Sequence, residues 1–224
     1  MKLCDFKDEN FIVGVYRDDL IDERMYVIRE ENEVVVIDPH VDNDIIENFE
    51  GVKKVKIFLT HEHYDHISGV NWLKENFDCE VYATEICARI IREKENGTSR
   101  YPLLFIGDRD KYHYVKDNIQ LPYICTADIT FSNKMDIRWF FNVISLQATP
   151  GHTLGSMSIL INGRYYFTGD NLLGNGQELK SIDSNPIAYA ETIKKYCQMA
   201  GKDIWVFPGH GQIDKLDTFI EGKE

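Results

Sequence analysis

The strongest constraint on the fold is the placement of histidine directly after predicted β-strands. The apolar run at residues 55–59 predicts a buried strand, and the stretch HEHYDH at residues 61–66 follows it. Three later predicted strands also end beside glycine, in the loops PGH at 150–152, GD at 169–170 and PGH at 208–210. Strand ends on one edge of a sheet can converge in space, so this pattern predicts a single clustered site.

An alternation of strands and helices predicts an α/β fold. Apolar, β-prone runs predict strands at residues 11–16, 25–29, 34–38, 55–59, 80–83, 137–141, 143–148, 157–161, 164–168 and 204–207. Helical spacing predicts helices at residues 42–49, 67–77, 84–95, 186–199 and 215–220. Thr84 and Asn185 are predicted N-caps, and Asn162-Gly163 predicts a tight hairpin. We expect a single domain over residues 1–224.

The segment at residues 96–127 interrupts this alternation. It combines scattered glycine and proline with several tyrosines, and it predicts an irregular insertion. A long irregular stretch is typical of a lid or a binding loop, but an aromatic-rich cover over the core or a dimer contact fits equally well. The sequence leaves both roles open, as it leaves the oligomeric state open.

Charge and cysteine content limit the possible partners and compartments. The formal net charge of −12 disfavours a general nucleic-acid or anionic-membrane binder, so we expect a small-molecule substrate, no nucleic acid and no membrane. The five cysteines have no CxxC spacing and predict reduced thiols. The first residues, MKLCDFKDEN, have no apolar signal-peptide core. These features together predict a cytoplasmic protein.

The residue types in the predicted loops are those of a metal site. Neutral imidazole binds zinc, iron or manganese, and a carboxylate can bridge two cations. His61 and His63 can face one ion if the loop curls, which leaves Asp65 and His66 for a second ion. The pattern differs from the helical HExxH motif of zinc proteases, because Asp65 stands where the second histidine would be.

The order His61-x-His63-x-Asp65-His66, then His152, Asp170 and His210, resembles the metallo-β-lactamase-fold superfamily of metallohydrolases. The resemblance extends from Asp38 to His210 and includes the stretches TPGHT, FTGD and FPGH. It implies a four-layer αβ/βα sandwich with two mixed β-sheets and the metal site at one edge. It also implies two divalent ions, with zinc as the first expectation and iron or manganese as alternatives.

The resemblance assigns a role to each residue of the pattern. The implied ligands of the first ion are His61, His63 and His152, those of the second ion are Asp65, His66 and His210, and Asp170 is the implied bridge. Asp38 matches an aspartate that supports the site from behind the ligands. The implied reaction is attack by a metal-bridging hydroxide on an ester-type carbonyl, with Asp65 as the catalytic residue that orients the hydroxide.

The substrate is the least constrained part of the prediction. The chain looks most like compact glyoxalase-II-like proteins, which hydrolyse thioesters, and Lys180 is a candidate contact for a substrate carboxylate. Only 14 residues follow His210, fewer than the helical region that helps full glyoxalase II proteins bind glutathione. The alternatives are a mononuclear-iron persulfide dioxygenase using His61, His152 and Asp170, a lactonase or β-lactamase, and a non-catalytic metal-binding scaffold.

Overall fold

The computed structural model describes residues 1–9, 11–174 and 176–221. Its strands are β1 (Lys2–Asp8), β2 (Phe11–Arg17), β3 (Arg24–Glu30), β4 (Glu33–Ile37), β5 (Lys54–Phe58), β6 (Cys79–Thr84), β7 (Ile129–Phe131), β8 (Lys134–Trp139), β9 (Asn142–Ala148), β10 (Met157–Ile161), β11 (Tyr165–Gly169), β12 (Trp205–Pro208) and β13 (Asp214–Lys215). Its α-helices are α1 (Tyr64–Ile67), α2 (Val70–Asn76), α3 (Glu85–Ile91), α4 (Arg109–Asn118), α5 (Pro186–Cys197) and α6 (Leu216–Ile220). Short 3₁₀-helices span Asn43–Phe49 and Thr98–Phe105.

The strands form two mixed sheets, as predicted. The first sheet has the order β1-β2-β3-β4-β5-β6-β7, antiparallel up to β4 and parallel from β4 to β7. The second sheet has the order β13-β12-β11-β10-β9-β8, and only its β11–β12 pair is parallel. The loops that the sequence singled out follow β5 of the first sheet and β9, β11 and β12 of the second.

One apolar cluster lies between the two sheets. Phe58 and Tyr26 from the first sheet pack with Leu146, Phe167 and Phe207 from the second. The rings of Phe167 and Phe207 stack with centroids 4.5 Å apart, and the Tyr26 hydroxyl donates a hydrogen bond across the sheets to the carbonyl of Pro208 (2.6 Å). Burial of aromatic area and this cross-sheet bond stabilise the face-to-face packing.

Two further clusters cover the outer faces of the sheets. On the first sheet, alternate residues of β4 such as Val34 and Val36 point outward and pack with Leu73 of α2 and Cys87 of α3. On the second sheet, the outer cluster joins β11 and β12 to α5 and α6 through Tyr166, Val206, Ile193 and Phe219. The arrangement is helices, sheet, sheet, helices, which confirms the predicted four-layer sandwich.

Local signals in the sequence account for several element boundaries. The Thr84 side chain accepts a hydrogen bond from the Cys87 amide at the start of α3, and Asn185 accepts one from the Ala188 amide at the start of α5. Asn162 and Gly163 both have positive φ, as a tight hairpin between β10 and β11 requires. These three predictions are confirmed.

The prediction of an irregular insertion at residues 96–127 was wrong for much of its length. The segment contains the 3₁₀-helix Thr98–Phe105 and the ten-residue helix α4. Asp108 caps α4 by accepting a hydrogen bond from the Lys111 amide, and Val115 packs in a small core with Tyr101 and Phe105. The aromatic residues thus form a core of their own against which the helices fold.

No helix in the described residues is both long and apolar enough to cross a membrane.

Candidate metal centre

The loops after five strands deliver the predicted site residues to one edge of the sandwich. Asp38 follows β4, His61 and His63 follow β5, His152 follows β9, Asp170 follows β11 and His210 follows β12. Asp65 and His66 lie in α1, the single turn that continues the β5 loop. The first sheet therefore supplies four of the seven predicted ligands, and the second sheet supplies three.

The first subsite consists of His61, His63 and His152. Nε2 of His61 lies 3.0 Å from Nδ1 of His63, and Nε2 of His152 lies 3.1 Å from the same Nδ1 atom. Zinc–nitrogen bonds of about 2.0–2.1 Å in tetrahedral geometry would separate ligand atoms by about 3.4 Å. Two of the three nitrogen pairs already stand near that spacing, and all three nitrogens lie within 4.8 Å of one another, so a small adjustment would let them bind one ion.

The second subsite consists of Asp65, His66 and His210. Oδ2 of Asp65 lies 3.3 Å from Nε2 of His66 and 3.3 Å from Nε2 of His210. Asp170 stands between the subsites, since its Oδ1 is 3.5 Å from Nε2 of His66 and its Oδ2 is 3.5 Å from Nε2 of His152. The carboxylate of Asp170 therefore faces both subsites at once, as a bridging ligand must.

Two buried atoms at the centre indicate that these residues suit a divalent ion. Nε2 of His66 and Oδ1 of Asp170 are inaccessible to solvent and have no hydrogen-bond partner in the described structure. Buried polar atoms are normally paired, and a cation would satisfy both. Gly209 adds to the fit, because a Cβ atom there would collide with Oδ1 of Asp170 and with the His66 ring. The donor set of imidazole and carboxylate suits zinc, iron or manganese.

Comparison with known protein families agrees with this geometry. The model of the metallo-β-lactamase superfamily matches residues 22–211, which include all seven predicted ligands. The chain belongs to the metallo-β-lactamase superfamily. Among curated proteins, a hydroxyacylglutathione hydrolase from Thiobacillus denitrificans is 26% identical over 160 residues, covering 69% of this chain and 48% of that protein. The chain spans about half the length of the curated relatives it matches.

Solved structures show the same superfamily fold. The B3 metallo-β-lactamase BLEG-1 aligns with a TM-score of 0.71 and 22% identity, over 94% of this chain and 96% of that one. The di-iron-bound form of TTHA1623 aligns with a TM-score of 0.68 and 21% identity, over 91% and 95% of the two chains.

In this metallo-β-lactamase superfamily member, hydrogen bonds fix the ring orientation of four of the predicted ligand histidines. The ring nitrogen pointing away from the centre is Nδ1 in each case, and each faces an oxygen: His61 faces Thr60 Oγ1 (3.1 Å), His66 faces Asp38 Oδ2 (2.9 Å), His152 faces the Glu178 carbonyl (2.7 Å) and His210 faces the Ile21 carbonyl (3.2 Å). A carbonyl or carboxylate can only accept, so Nδ1 is the donor in these bonds and Nε2 is the atom left to face an ion.

Asp38 connects to both subsites through hydrogen bonds, directly to His66 and through Thr60 to His61. Its carboxylate accepts hydrogen bonds from the Thr60 amide (2.7 Å), the Thr60 hydroxyl (2.6 Å) and His66 Nδ1 (2.9 Å). The Thr60 hydroxyl uses its proton on Asp38 and so is free to accept from His61. Asp38 is buried and has a φ of +52°, a left-handed conformation that the surrounding bonds hold in place.

The electrostatics of the second subsite favour charged groups. Burial lowers the pKa of His66, but the carboxylates of Asp65, Asp170 and Asp38 outweigh it and raise that pKa well above its usual range. His210 shows the same balance, with burial opposed by Asp170 and Asp65 and a raised pKa as the result. Burial raises the pKa of Asp65, yet the charges of His66 and His210 bring it well below its usual range. The carboxylates and the two rings of this subsite thus stabilise each other's charged forms.

The first subsite has the opposite character. Burial, followed by the neighbouring His66, His63 and His152, lowers the pKa of His61 well below its usual range. Burial likewise lowers the pKa of His152, and the Asp170 carboxylate only partly opposes it. Both rings are therefore neutral at physiological pH, which is the protonation state in which imidazole binds a metal.

Lys180 and the other two histidines, His40 and His113, lie outside the set of seven predicted ligands. Lys180 is exposed on the loop between β11 and α5, next to Ser181, so its role as a substrate contact stays a prediction. His113 is exposed on α4, while His40 is buried with Nδ1 2.7 Å from the Glu23 carboxylate. Between the motif ligands, the Glu62 carboxylate accepts a hydrogen bond from the Thr153 hydroxyl.

Sequence reasoning missed several groups that lie around the predicted ligands. Thr60 could have been found, since it directly precedes His61. The Glu178 carbonyl is a backbone atom and carries no sequence signal. Asp183 lies with Oδ2 3.6 Å from Nε2 of His63, and Arg100 of the insertion lies 2.5 Å from the same oxygen. The hydrogen bonds and charges of His63 and Arg100 outweigh the opposing effect of burial and lower the pKa of Asp183 to about 2.

Proposed function

We propose that this protein is a binuclear metal-dependent hydrolase that cleaves an ester-type bond, with thioesters as the first substrate class. The observation that carries the proposal is the convergence of donor atoms at one edge of the fold. Three groups of metal-binding atoms, each within 4.8 Å of one another, overlap at His61 and His66. An overlap of this kind is what two adjacent ions need.

The chemistry of the donor set supports hydrolysis. Two divalent ions bound here would lower the pKa of a shared water and supply a nucleophile at neutral pH. Asp65 is buried in the second subsite and stays ionised because of His66 and His210, so it can accept a hydrogen bond and orient that nucleophile. Asp38 and Thr60 hold the rings of His66 and His61, which keeps the ligands preorganised.

The preference for a thioester comes from relatives. The hydroxyacylglutathione hydrolase of Thiobacillus denitrificans and that of Buchnera aphidicola share 26% and 29% identity with this chain. We propose that Lys180, exposed beside the loop that reaches His63, contacts a carboxylate of the substrate. We further propose two bound ions with zinc as the first expectation, and iron as the alternative suggested by the di-iron-bound structural neighbour.

A mononuclear-iron persulfide dioxygenase is the second candidate. It would use His61, His152 and Asp170, and the structure places Nε2 of His152 3.5 Å from the Asp170 carboxylate. A lactonase or β-lactamase activity is the third, since a B3 metallo-β-lactamase shares the fold. Oxygen uptake with a persulfide identifies the second candidate, and opening of a lactone or lactam ring identifies the third.

The test is a metal analysis of the natively purified protein combined with a panel of thioester, lactone and lactam substrates. We expect about two equivalents of metal and the fastest turnover on a thioester. His61→Ala and Asp170→Ala should each lose metal and activity together. His113→Ala is the matched control, because its ring is exposed outside the centre, and it should retain both. Full activity in either ligand variant would contradict the assignment.

A further inference from the structure

His63 differs from the other ligand histidines in how its ring is held. Its Nδ1 atom faces the centre, so Nε2 points outward, and the side chain is 25% exposed. Nε2 lies 3.4 Å from the Ser181 hydroxyl and 3.6 Å from the Asp183 carboxylate. The Ser181 hydroxyl also accepts a hydrogen bond from the Asp183 amide (3.2 Å), so these two residues approach the ring as one short turn.

Arg100 fixes the position of this turn. Its guanidinium donates to Oδ2 of Asp183 at 2.5 Å, the same oxygen that faces His63. Arg100 belongs to the 3₁₀-helix of the insertion, and the next residue, Tyr101, is buried. The Tyr101 ring packs against Tyr64, with centroids 4.5 Å apart, and Tyr64 directly follows His63 in the motif. The insertion therefore packs beside His63, and its Arg100 holds Asp183, the partner of the His63 ring.

We propose that Asp183 is a positioning residue for the metal ligand His63, and that Arg100 keeps Asp183 in place. The inference rests on the proposed metal centre. When Nδ1 of His63 binds an ion, Nε2 must carry the proton, and a carboxylate at Nε2 stabilises that tautomer and ring orientation. Asp183 stands on an exposed loop, so without Arg100 its side chain has no other cation to hold it near His63 in the described structure.

The proposal gives the insertion a specific role. Residues 96–127 secure a ligand of the first subsite through one ion pair that joins positions 83 residues apart. An exposed ion pair by itself changes the stability of a folded protein only slightly. Its effect should therefore appear in metal affinity at the first subsite, while thermal stability of the metal-free protein stays nearly constant.

The experiment measures zinc affinity of the first subsite in the full-length protein by competition with a chromogenic chelator. Asp183→Asn should weaken binding about tenfold, and Arg100→Met about two- to fivefold. The double variant should match Asp183→Asn alone, because Arg100 acts only through Asp183. Asp183→Glu should recover part of the affinity. Arg109→Met in the same insertion and Asp136→Asn at the outer edge of the second sheet are the matched controls and should bind as the wild type does.

Two outcomes would overturn the proposal. Wild-type zinc affinity in Asp183→Asn would contradict the proposed role of Asp183. Additive losses of affinity in the double variant would contradict the proposal that Arg100 acts through Asp183. A parallel measurement on His61→Ala separates this inference from the proposed function. If His61→Ala loses zinc while Asp183→Asn does not, only the positioning role fails. If His61→Ala keeps wild-type zinc, the metal centre and the positioning role fail together.

Discussion

His66 and His63 belong to the same centre, yet their outer ring nitrogens have very different partners. The partner of His66 is Asp38, which is 2% exposed at the end of β4 and accepts three hydrogen bonds. The partner of His63 is Asp183, which is 36% exposed and depends on Arg100 from a distant segment. The deep predicted ligand, His66, is thus held by the strands that build the core. The predicted ligand at the mouth of the centre, the partly exposed end that holds His63, faces side chains from the insertion and from the loop before α5.

The largest expected effect comes from Asp38→Asn. Asparagine tolerates the positive φ at this position, so the backbone should be preserved. Three donors point at the Asp38 carboxylate, however, and an amide has only one oxygen to accept them. Both subsites should lose metal affinity by about 10- to 100-fold. Metal analysis after dialysis checks this, with Asp42→Asn as the control. If only the second subsite emptied, the link through Thr60 to His61 would be wrong.

Gly209→Ala should impair mainly the second subsite. The added Cβ would lie 2.7 Å from the His66 ring and would collide with the Asp170 carboxylate, so both ligands must move. Overpacking of this kind costs about 1–3 kcal/mol. We expect loss of roughly one metal equivalent, measured by elemental analysis, and a lower melting temperature. Gly107→Ala is the control because a Cβ there meets nothing within 4 Å. Unchanged metal content in Gly209→Ala would show that the site relaxes freely.

The two subsites should respond differently to pH. Carboxylates raise the pKa of His66 and His210, so in the metal-free protein these rings hold protons that an arriving ion must displace. Zinc affinity at the second subsite should therefore fall as pH falls, by about tenfold per pH unit for each displaced proton. The lowered pKa values of His61 and His152 mean that their protons compete only at more acidic pH. Zinc titrations from pH 8 to pH 6 test this, and parallel losses at both subsites would contradict it.

Salt should produce the smallest effect, and it should act only on the Arg100–Asp183 pair beside His63. The Arg100–Asp183 pair is solvent-exposed, and exposed charges are screened at high ionic strength. The difference in zinc affinity between wild type and Arg100→Met should shrink by about twofold or more in 1 M salt. The difference between wild type and Asp38→Asn should persist, because Asp38 is buried. Chelator competition at two salt concentrations measures both differences in zinc affinity. Equal salt sensitivity of the two differences would contradict the contrast between the exposed partner of His63 and the buried partner of His66.

The sequence predicted the deep part of the centre because its residues follow strands that have a strong apolar signal. His61, Asp170 and His210 each come within three residues of a buried strand, so their convergence follows from the sheet topology. Their binding of metal remains a prediction. The mouth could not be predicted in the same way, because Arg100 and Asp183 meet only after the insertion folds onto the core. No local pattern links residues so far apart in the chain.

The fold shows the same division between strong and weak signals. Strand β1 was not predicted, because its sequence KLCDFKD mixes charged and apolar residues and lies mostly exposed at the edge of the first sheet. Helix α4 was missed because its residues are mostly polar and only Val115 is buried. The strands β4 and β5, which are buried on both sides, were predicted nearly to the residue. Buried segments have a recognisable apolar pattern in the sequence, whereas segments that pack at the surface have a much weaker one.

The division of the ligands between the two sheets has a consequence for the lifetime of the protein. Any ion bound by His63 and His152 is attached to both halves of the sandwich, so the sheets cannot separate without releasing it. Binding free energy therefore adds to the free energy of unfolding, and it grows with the concentration of free metal. A protease that cleaves only the unfolded chain would therefore degrade the metal-free protein faster than the metal-bound protein. Metal supply would then govern how much of the protein persists as well as how much of it works.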